Sequence, residues 1–381
     1  MGDPAEIDAG HSWEDQRSTY DALRAKCAVA RQDRTWVALR HAAVVAAATD
    51  AEAFSSKVSA RRAIPNRLDG ADHVAYRAVV DRYLTDERVA REESQCRAHA
   101  GIIIDALPRG VTVKTIAQIG TPFAVRSQST WLGWPAGLED ELVEWIRDNH
   151  AATRSGNRDR TAEVAERFDQ MIRVLLETRR GAPTRDVTSE LLNDTVNGRP
   201  LTTEEIVSIL RNWTAGDLGS LATSVGVIVH FLATNPNIQQ EVRTLVEEGD
   251  RAALAAAAEE ILRIDDPFVS NRRVATRAVN LGGEEIVKGD QLLLNWTAAN
   301  RDPLVFGDPD RYDPDRNADT NLVFGIGPHV CPGRSLTLME LRVMLEELMG
   351  RTTWIDPAPD RPAVRETPPV GGWARVPIVL R

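Results

Sequence analysis

The sequence has little with which to cross-link itself, cross a membrane or hold nucleic acid. Its three cysteines, Cys27, Cys96 and Cys331, are odd in number, far apart and without a C-x-x-C pair. That argues against a disulfide framework and a structural zinc site, and leaves room for a single special cysteine. The longest apolar stretch, Leu218 to Val229, holds about twelve uncharged residues, against the roughly 20 needed to span a bilayer. The opening residues, MGDPAEIDAGHSWEDQ, carry no apolar run, so neither a signal peptide nor a membrane anchor is expected. A soluble, cytoplasmic protein is the expectation. Basic residues number 46 and acidic residues 56, a formal net charge of −10, and that balance argues against a nucleic-acid footprint. No Gly/Ser-rich or Pro-rich linker divides the 381 residues, and no repeat has a fixed period. One domain over 1–381 is therefore expected.

What is present is mostly helical pattern. Residues 14–50 read as two short, Ala-rich helices around a strand-like WVALR. Asp72 to roughly Leu107 is helical and Pro108 stops it. Long helical stretches recur from 137 to 180. Thr202 and Glu205 have capping-box spacing, and from there the pattern can run unbroken to Pro236. That is about 32 residues, or roughly 48 Å at 1.5 Å per residue, enough to cross the whole molecule. A second Ala-rich helix is expected over about 252–263, before Asp266-Pro267. Arg272 to Trp296 then alternates as strands do, with turns at Gly282-Gly283 and Lys288-Gly289. Residues 301–323, rich in Asp, Pro and Asn, read as irregular coil, and a final helix spans roughly Arg334 to Met349. The fold class expected is mostly α with small strand-rich parts, about 34–65, 268–296 and 352–381.

The sharpest local signal is Phe324-Gly325-Ile326-Gly327-Pro328-His329-Val330-Cys331-Pro332-Gly333. Glycines permit close backbone approach and positive φ, and prolines fix turns, so this is a tight loop leading into a helix. Amides and the positive end of that helix would lower the pKa of a cysteine there and favour the thiolate, the metal-binding form. Three readings stand on the residues alone: a buried structural cysteine, a metal ligand, or a nucleophile, for which no adjacent base is suggested.

These ten residues resemble the haem-ligand loop of the cytochromes P450, Phe-x-x-Gly-x-x-x-Cys-x-Gly. The resemblance extends in order along most of the chain. Glu260 and Arg263, spaced i, i+3, are similar to a buried E-x-x-R pair that an arginine of a later coil locks, here Arg316 in Tyr312-Asp313-Pro314-Asp315-Arg316. Asn317 follows where the family often has Phe. His73 and Arg77, spaced i, i+4, together with Arg273 and His329, resemble the donors to the haem propionates, and four such groups on two carboxylates make strong charge-assisted bonds. The resemblance implies the P450 fold, with haem b between the long helix and the loop. It implies Cys331 as iron ligand, with Phe324, Gly325, Gly333 and, from the long helix, Gly216 against the cofactor.

The resemblance further implies an oxidoreductase that activates dioxygen to hydroxylate, couple or cyclise a small organic molecule of secondary metabolism. Electrons would come from a ferredoxin or flavodoxin-type donor with its NAD(P)H reductase, since the sequence carries no flavin or iron–sulfur module, and the enzyme would be a monomer. A positive face near Arg334 and Arg342 would receive the donor. A peroxide-driven peroxygenase and a non-catalytic haem-thiolate sensor are the alternatives. Ile64, Asn212, Ala215, Phe268, Val269 and Trp373 are expected to line the substrate pocket, and Arg61 and Arg62 could meet an acidic substrate. One departure stands out. The family's acid–alcohol pair in the long helix falls, by counting back from Pro236, on Gly219 and Ser220, so the acid is missing. Asp217, at i, i+3 from Ser220, is either a relocated relay partner or a structural or water-anchoring group.

Overall fold

The computed structural model describes residues 15–32 and 35–381, apart from the side chains of Gln32 and Ala215. Its helices are α1 (Gln16–Lys26), α2 (His41–Thr49), α3 (Gly70–Asp81), α4 (Asp86–Asp105), α5 (Thr121–Leu132), α6 (Glu139–Ser155), α7 (Arg158–Gly181), α8 (Val187–Leu192) and α9 (Thr203–Thr234). They continue with α10 (Pro236–Glu248), α11 (Arg251–Ile264), the one-turn α12 (Trp296–Ala299), α13 (Pro303–Phe306) and α14 (Pro314–Asn317), and finally α15 (Arg334–Gly350). The strands are short: β1 (Val29–Gln32), β2 (Thr35–Ala38), β3 (Phe54–Ser55), β4 (Thr112–Lys114), β5 (Thr195–Val196), β6 (Arg199–Pro200) and β7 (Ser270–Ala275). After them come β8 (Val279–Leu281), β9 (Glu284–Ile286), β10 (Gln291–Asn295), β11 (Ile355–Pro357), β12 (Val364–Arg365), β13 (Trp373–Arg375) and β14 (Pro377–Leu380).

The long central helix forms as its sequence dictates. Thr202 Oγ1 accepts from the Glu205 amide at 3.3 Å, and Glu205 Oε2 accepts from the Thr202 amide at 2.8 Å. This capping box satisfies two amides that the first turn leaves unpaired. α9 then runs for 32 residues. An 18-residue window within it has mean hydropathy 1.4 and by length and composition could cross a membrane, but 65% of that window is buried inside the fold. The window is longer than the apolar stretch expected because it runs past the polar residues Asp217 and His230 that bound that stretch.

One expected helix is two, and two further helices, α10 and α5, lie where none was expected. The single helix from Asp72 is two helices, because the chain tightens at Tyr83 and Leu84, whose amides reach back three residues to Val80 and Asp81, and Thr85-Asp86-Glu87 starts a new helix. Pro236 ends α9 but also opens α10, where its missing N–H costs nothing. α5 carries Pro122 within its first turn in the same way.

The main sheet has strand order β1-β2-β10-β7-β3. β10 pairs with β2 in parallel and with β7 antiparallel, setting Arg273 opposite Leu292. Trp36, Ala38, Leu292 and Leu294 bury one side of it against α2. The larger core gathers around α9, where Ile209, Leu210, Leu218, Leu221 and Leu232 are fully buried. α15 packs on both α4 and α9, which brings the segment after Cys331 up to the middle of the long helix.

Candidate active site

The Cys331 loop is held by its own backbone. The Cys331 amide donates to Phe324 O at 2.8 Å, and the Val330 amide to Gly327 O at 3.0 Å. Gly327 has φ +77°, and an added Cβ there would lie 2.8 Å from Ala48 O, so only glycine lets the loop lie on α2. The Arg334 guanidinium lies 5.8 Å from the Phe324 ring centroid. Gly333 caps α15, its amide bonds to the thiol, and a Cβ on it would meet Sγ at 3.8 Å. The expected lowering of the thiol pKa is outweighed. Burial pushes Cys331 up, ahead of the Gly333 amide, which lowers it. A thiolate here needs a cation on sulfur, which is what a metal ion supplies.

Beside the loop, the structure brings together four donors, from two other parts of the chain and the loop itself. His73 (α3) and His329 stack with ring centroids 4.2 Å apart. Arg77 donates from Nη1 to Val330 O at 2.6 Å and to Pro328 O at 3.3 Å. Arg273 (β7) is 5% exposed, and its guanidinium donates to the neighbouring Arg272 carbonyl at 2.8 Å. Burial lowers its pKa, with Asp69 the one acid opposing that. Burial, His73 and Arg273 together push His329 down to about 3. Its Nε2 is 2.9 Å from Ser56 Oγ. Asp69 already accepts from Ser55 Oγ at 2.5 Å and the Ser56 amide at 2.9 Å. Asp81 pairs with Arg77 at 2.6 Å, which leaves Asp69 as the acid facing Arg273 and the two histidines. Such a surplus of buried donors fits a group carrying two carboxylates next to Cys331. Gly216 fits as well: an added Cβ on it would meet nothing within 4 Å, open space on a helix otherwise deep in the core.

The Glu260–Arg263 pair is built as a fully satisfied ionic knot. Glu260 is 2% exposed and Arg263 0%. Glu260 accepts from Arg263 Nε at 2.7 Å and Nη2 at 2.9 Å. Arg263 also donates to the carbonyls of Asn300, Pro309 and Arg311, and stacks at 4.7 Å on Phe306. The expected third partner is corrected here. Arg316 is exposed and lies against Gly307. Asn317 donates from Nδ2 to Glu260 at 2.8 Å instead, with the Asp313 amide at 3.0 Å. The short amide does what a long guanidinium was expected to do, because α14 sets Asn317 inward.

In the middle of α9 the two expected relay residues do not meet through their side chains. The Ser220 hydroxyl donates to Gly216 O and to the Asp217 backbone carbonyl at 3.2 Å. Asp217 Oδ2 is buried without a hydrogen-bond partner, and so is Glu340 Oε2 of α15. The charges of these two act on each other, and Asp217 also acts on the thiols of Cys96 and Cys331. Burial pushes Asp217 up to about 7 and Glu340 well above the usual carboxylate range. Glu340 was not singled out from sequence. Its signal was there: an acid on the apolar face of SLTLMELRVML.

The pocket residues fall into two groups. Ile64 is fully buried, its amide donating to Ser208 Oγ at 2.9 Å and its carbonyl accepting from Asn212 Nδ2 at 2.9 Å. Val269 is buried and Phe268 is 47% exposed, and a Cβ on Gly371 would lie 2.9 Å from Val269 Cγ2. Trp373 is engaged on all sides: Nε1 donates to Asp265 at 3.0 Å, Arg365 lies 3.6 Å from its ring centroid and His230 stacks at 3.8 Å. The Ala215 side chain lies outside the described ones. Several expected free cations are paired. Arg61 bonds Asp169 at 2.9 Å and Arg62 bonds Tyr76 Oη at 3.1 Å. Arg334 bonds Glu259 at 2.7 Å, and Arg342, 7% exposed, bonds Glu93 and Glu346, both at 2.7 Å.

A thiol at a Gly-fixed loop, a clamp of buried donors and a long helix across them define a haem-thiolate architecture. The cytochrome P450 family model matches residues 138–378, and the chain belongs to the cytochrome P450 family, of bacterial type. Cyclomarin C epoxidase CymV of Salinispora arenicola is 28% identical over 366 residues, 91% of each chain. The steroid C26-monooxygenase of Mycolicibacterium smegmatis is 28% identical over 378 residues, 96% of this chain and 92% of its own. The open form of cytochrome P450 EryK from S. erythraea, 24% identical, superposes with TM-score 0.88 over 98% of both chains, which fixes the fold. The chain is thus an oxidoreductase of small organic molecules with a haem-thiolate cofactor. Enzymes of this type use dioxygen and electrons from redox partners.

Proposed function

We propose that Cys331 would hold the iron of haem b through its thiolate, that His73, Arg77, Arg273 and His329 would hold its propionates, and that Gly216 would leave room for it beside α9. The observation that carries this is the buried Arg273 guanidinium beside the cysteine loop, with a backbone carbonyl as its hydrogen-bond acceptor and His73 and His329 next to it. Phe324, Gly325 and Gly333 shape the loop around the sulfur. When bound, the haem supplies an iron on which dioxygen is activated, with thiolate donation favouring O–O cleavage. The chain's own residues keep the sulfur dry, neutralise the carboxylates and present the substrate. Ile64, Asn212, Phe268 and Val269 are the pocket walls best supported by their positions, Ala215 belongs with them by its place on α9, and Trp373 serves to anchor the β12–β13 hairpin. Ser220 is the hydroxyl at the oxygen side, and Asp217 shares a buried, desolvated environment with the Glu340 carboxyl. Glu260, Arg263 and Asn317 are structural.

The substrate is a small organic molecule of secondary metabolism, a reading supported by the epoxidase relative. Electrons arrive from a ferredoxin or flavodoxin with its NAD(P)H reductase, and the single domain acts as a cytoplasmic monomer. The test is the ferrous–CO spectrum. The parent, Cys27→Ala and Cys96→Ala should show the red-shifted Soret band of thiolate ligation, and Cys331→His should lose it. A band that survives Cys331→His and vanishes in Cys96→Ala would overturn the assignment.

A further inference from the structure

Putting one atom of dioxygen into a C–H bond and reducing the other to water consumes two electrons and two protons: RH + O2 + 2e− + 2H+ → ROH + H2O. The redox partner brings the electrons, but the protons must come through this chain. The polar groups of the central turn of α9 are committed elsewhere. Ser220 and Thr223 donate to the helix's own carbonyls at Gly216, Asp217, Gly219 and Ser220. Asp217 Oδ2 has no hydrogen-bond partner and lies in the field of Glu340 of α15, away from solvent.

One titratable side chain reaches this turn from another element. His150, near the end of α6, lies directly over Gly219: an added Cβ on that glycine would stand 3.0 Å from His150 Nε2. The imidazole makes no hydrogen bond to a described residue. The charges acting on it are Arg154 of its own helix and Glu366 after β12, and these two bond each other at 3.0 Å. The Arg154 side chain is 38% exposed, so that edge reaches solvent.

We propose that His150 is the proton carrier of this site, an imidazole lent by α6 to the turn Gly219–Ser220, where glycine makes room for it. It takes up a proton from solvent at the Arg154–Glu366 edge and releases one from Nε2, the nitrogen over Gly219, so its own charge is unchanged over a cycle. Burial and Arg154 lower its pKa, which keeps it neutral and able to pass protons at neutral pH. The assignment rests on the haem site proposed above.

Cyanide, titrated spectrally into the ferric haem-loaded protein, is a probe that needs no substrate. It arrives as HCN and binds as the anion, so a proton is given up on the way in, and a neighbouring imidazole can take it and donate to the bound anion. His150→Ala and His150→Gln should each bind cyanide about tenfold more weakly at neutral pH, the size of one lost charge-assisted hydrogen bond. Their ferrous–CO bands should stay as in the parent. The double variant His150→Ala/Gly219→Asp, in which a carboxyl fills the space the imidazole leaves, should regain affinity. Unchanged affinity in both single variants would overturn the proposal, and so would a loss that the double variant fails to restore, since that marks mere packing. A parent without the thiolate band would instead overturn the haem assignment.

Discussion

At the scale of single residues, the feature that most departs from ordinary protein chemistry is the carboxyl pair Asp217 and Glu340. Each has a buried oxygen without a hydrogen-bond partner, and a buried carboxylate without a cation is costly enough that the group takes up a proton instead. Desolvation pushes both upward, and like-charge repulsion adds to it at Glu340. A carboxyl near 4 in the unfolded chain and about 7 in the folded one binds more protons when folded. Its stabilising share is therefore fully present below about pH 4 and is lost as the pH rises through about 7. Asp217→Asn should remove this slope. Urea unfolding midpoints at pH 5 and pH 8 should differ less in Asp217→Asn than in the parent, and an identical difference in both would show that Asp217 is charged throughout.

At the scale of elements, the knot joining α11 to α14 decides whether the loop before Cys331 is fixed. Glu260→Ala leaves Arg263, fully buried, without its counter-charge, at a cost of about 3–5 kcal/mol. Asn317→Ala removes one donor to a buried carboxylate and should cost roughly 1–3 kcal/mol, whereas Arg316→Ala should stay within about 0.5 kcal/mol. Chemical denaturation of the three variants checks this order, and an Arg316→Ala loss larger than that of Asn317→Ala would return the third-partner role to Arg316. The same elements show what could be read from sequence. α9 was legible because its capping box and uninterrupted length are local properties. The cysteine loop was legible because Gly and Pro at fixed spacing leave few backbone paths. Asn317 was not, since a short amide in an irregular coil carries no period, and only the turn of α14 points it inward. The i, i+3 spacing of Asp217 and Ser220 put them on one face but said nothing of where each side chain bonds, and Ser220 turned back to its own helix. His150 was invisible for a further reason: it meets Gly219 across 69 positions of sequence, and only the packing of α6 on α9 brings them together.

At the scale of the whole molecule, charge is distributed against its total. The chain is formally −10, and surface arginines such as Arg334 are tied to glutamates, yet the region around the cysteine loop holds buried donors that the protein alone does not neutralise. Arg273 is the clearest of them, 5% exposed, with a backbone carbonyl as its one acceptor among the described residues and its pKa lowered by burial. Without the cofactor this guanidinium is a burden on the fold, because a buried cation without a counter-charge pays its desolvation in full. With the cofactor it becomes a charge-assisted bond to a propionate. Arg273→Met should therefore have opposite effects on the two forms. The haem-free protein should become more stable, by about 1 kcal/mol or more, since an apolar side chain of similar length fills the space without the charge. The haem-loaded protein should become less stable, and haem transfer to an acceptor protein faster, because one bond of roughly 1.5–3 kcal/mol is lost and a ligand that binds the native state less tightly stabilises it less. Thermal unfolding of both forms of parent and variant measures this directly. Shifts of the same sign in the two forms would mean that Arg273 meets no carboxylate of the cofactor, and that the donor cluster is held together by something else.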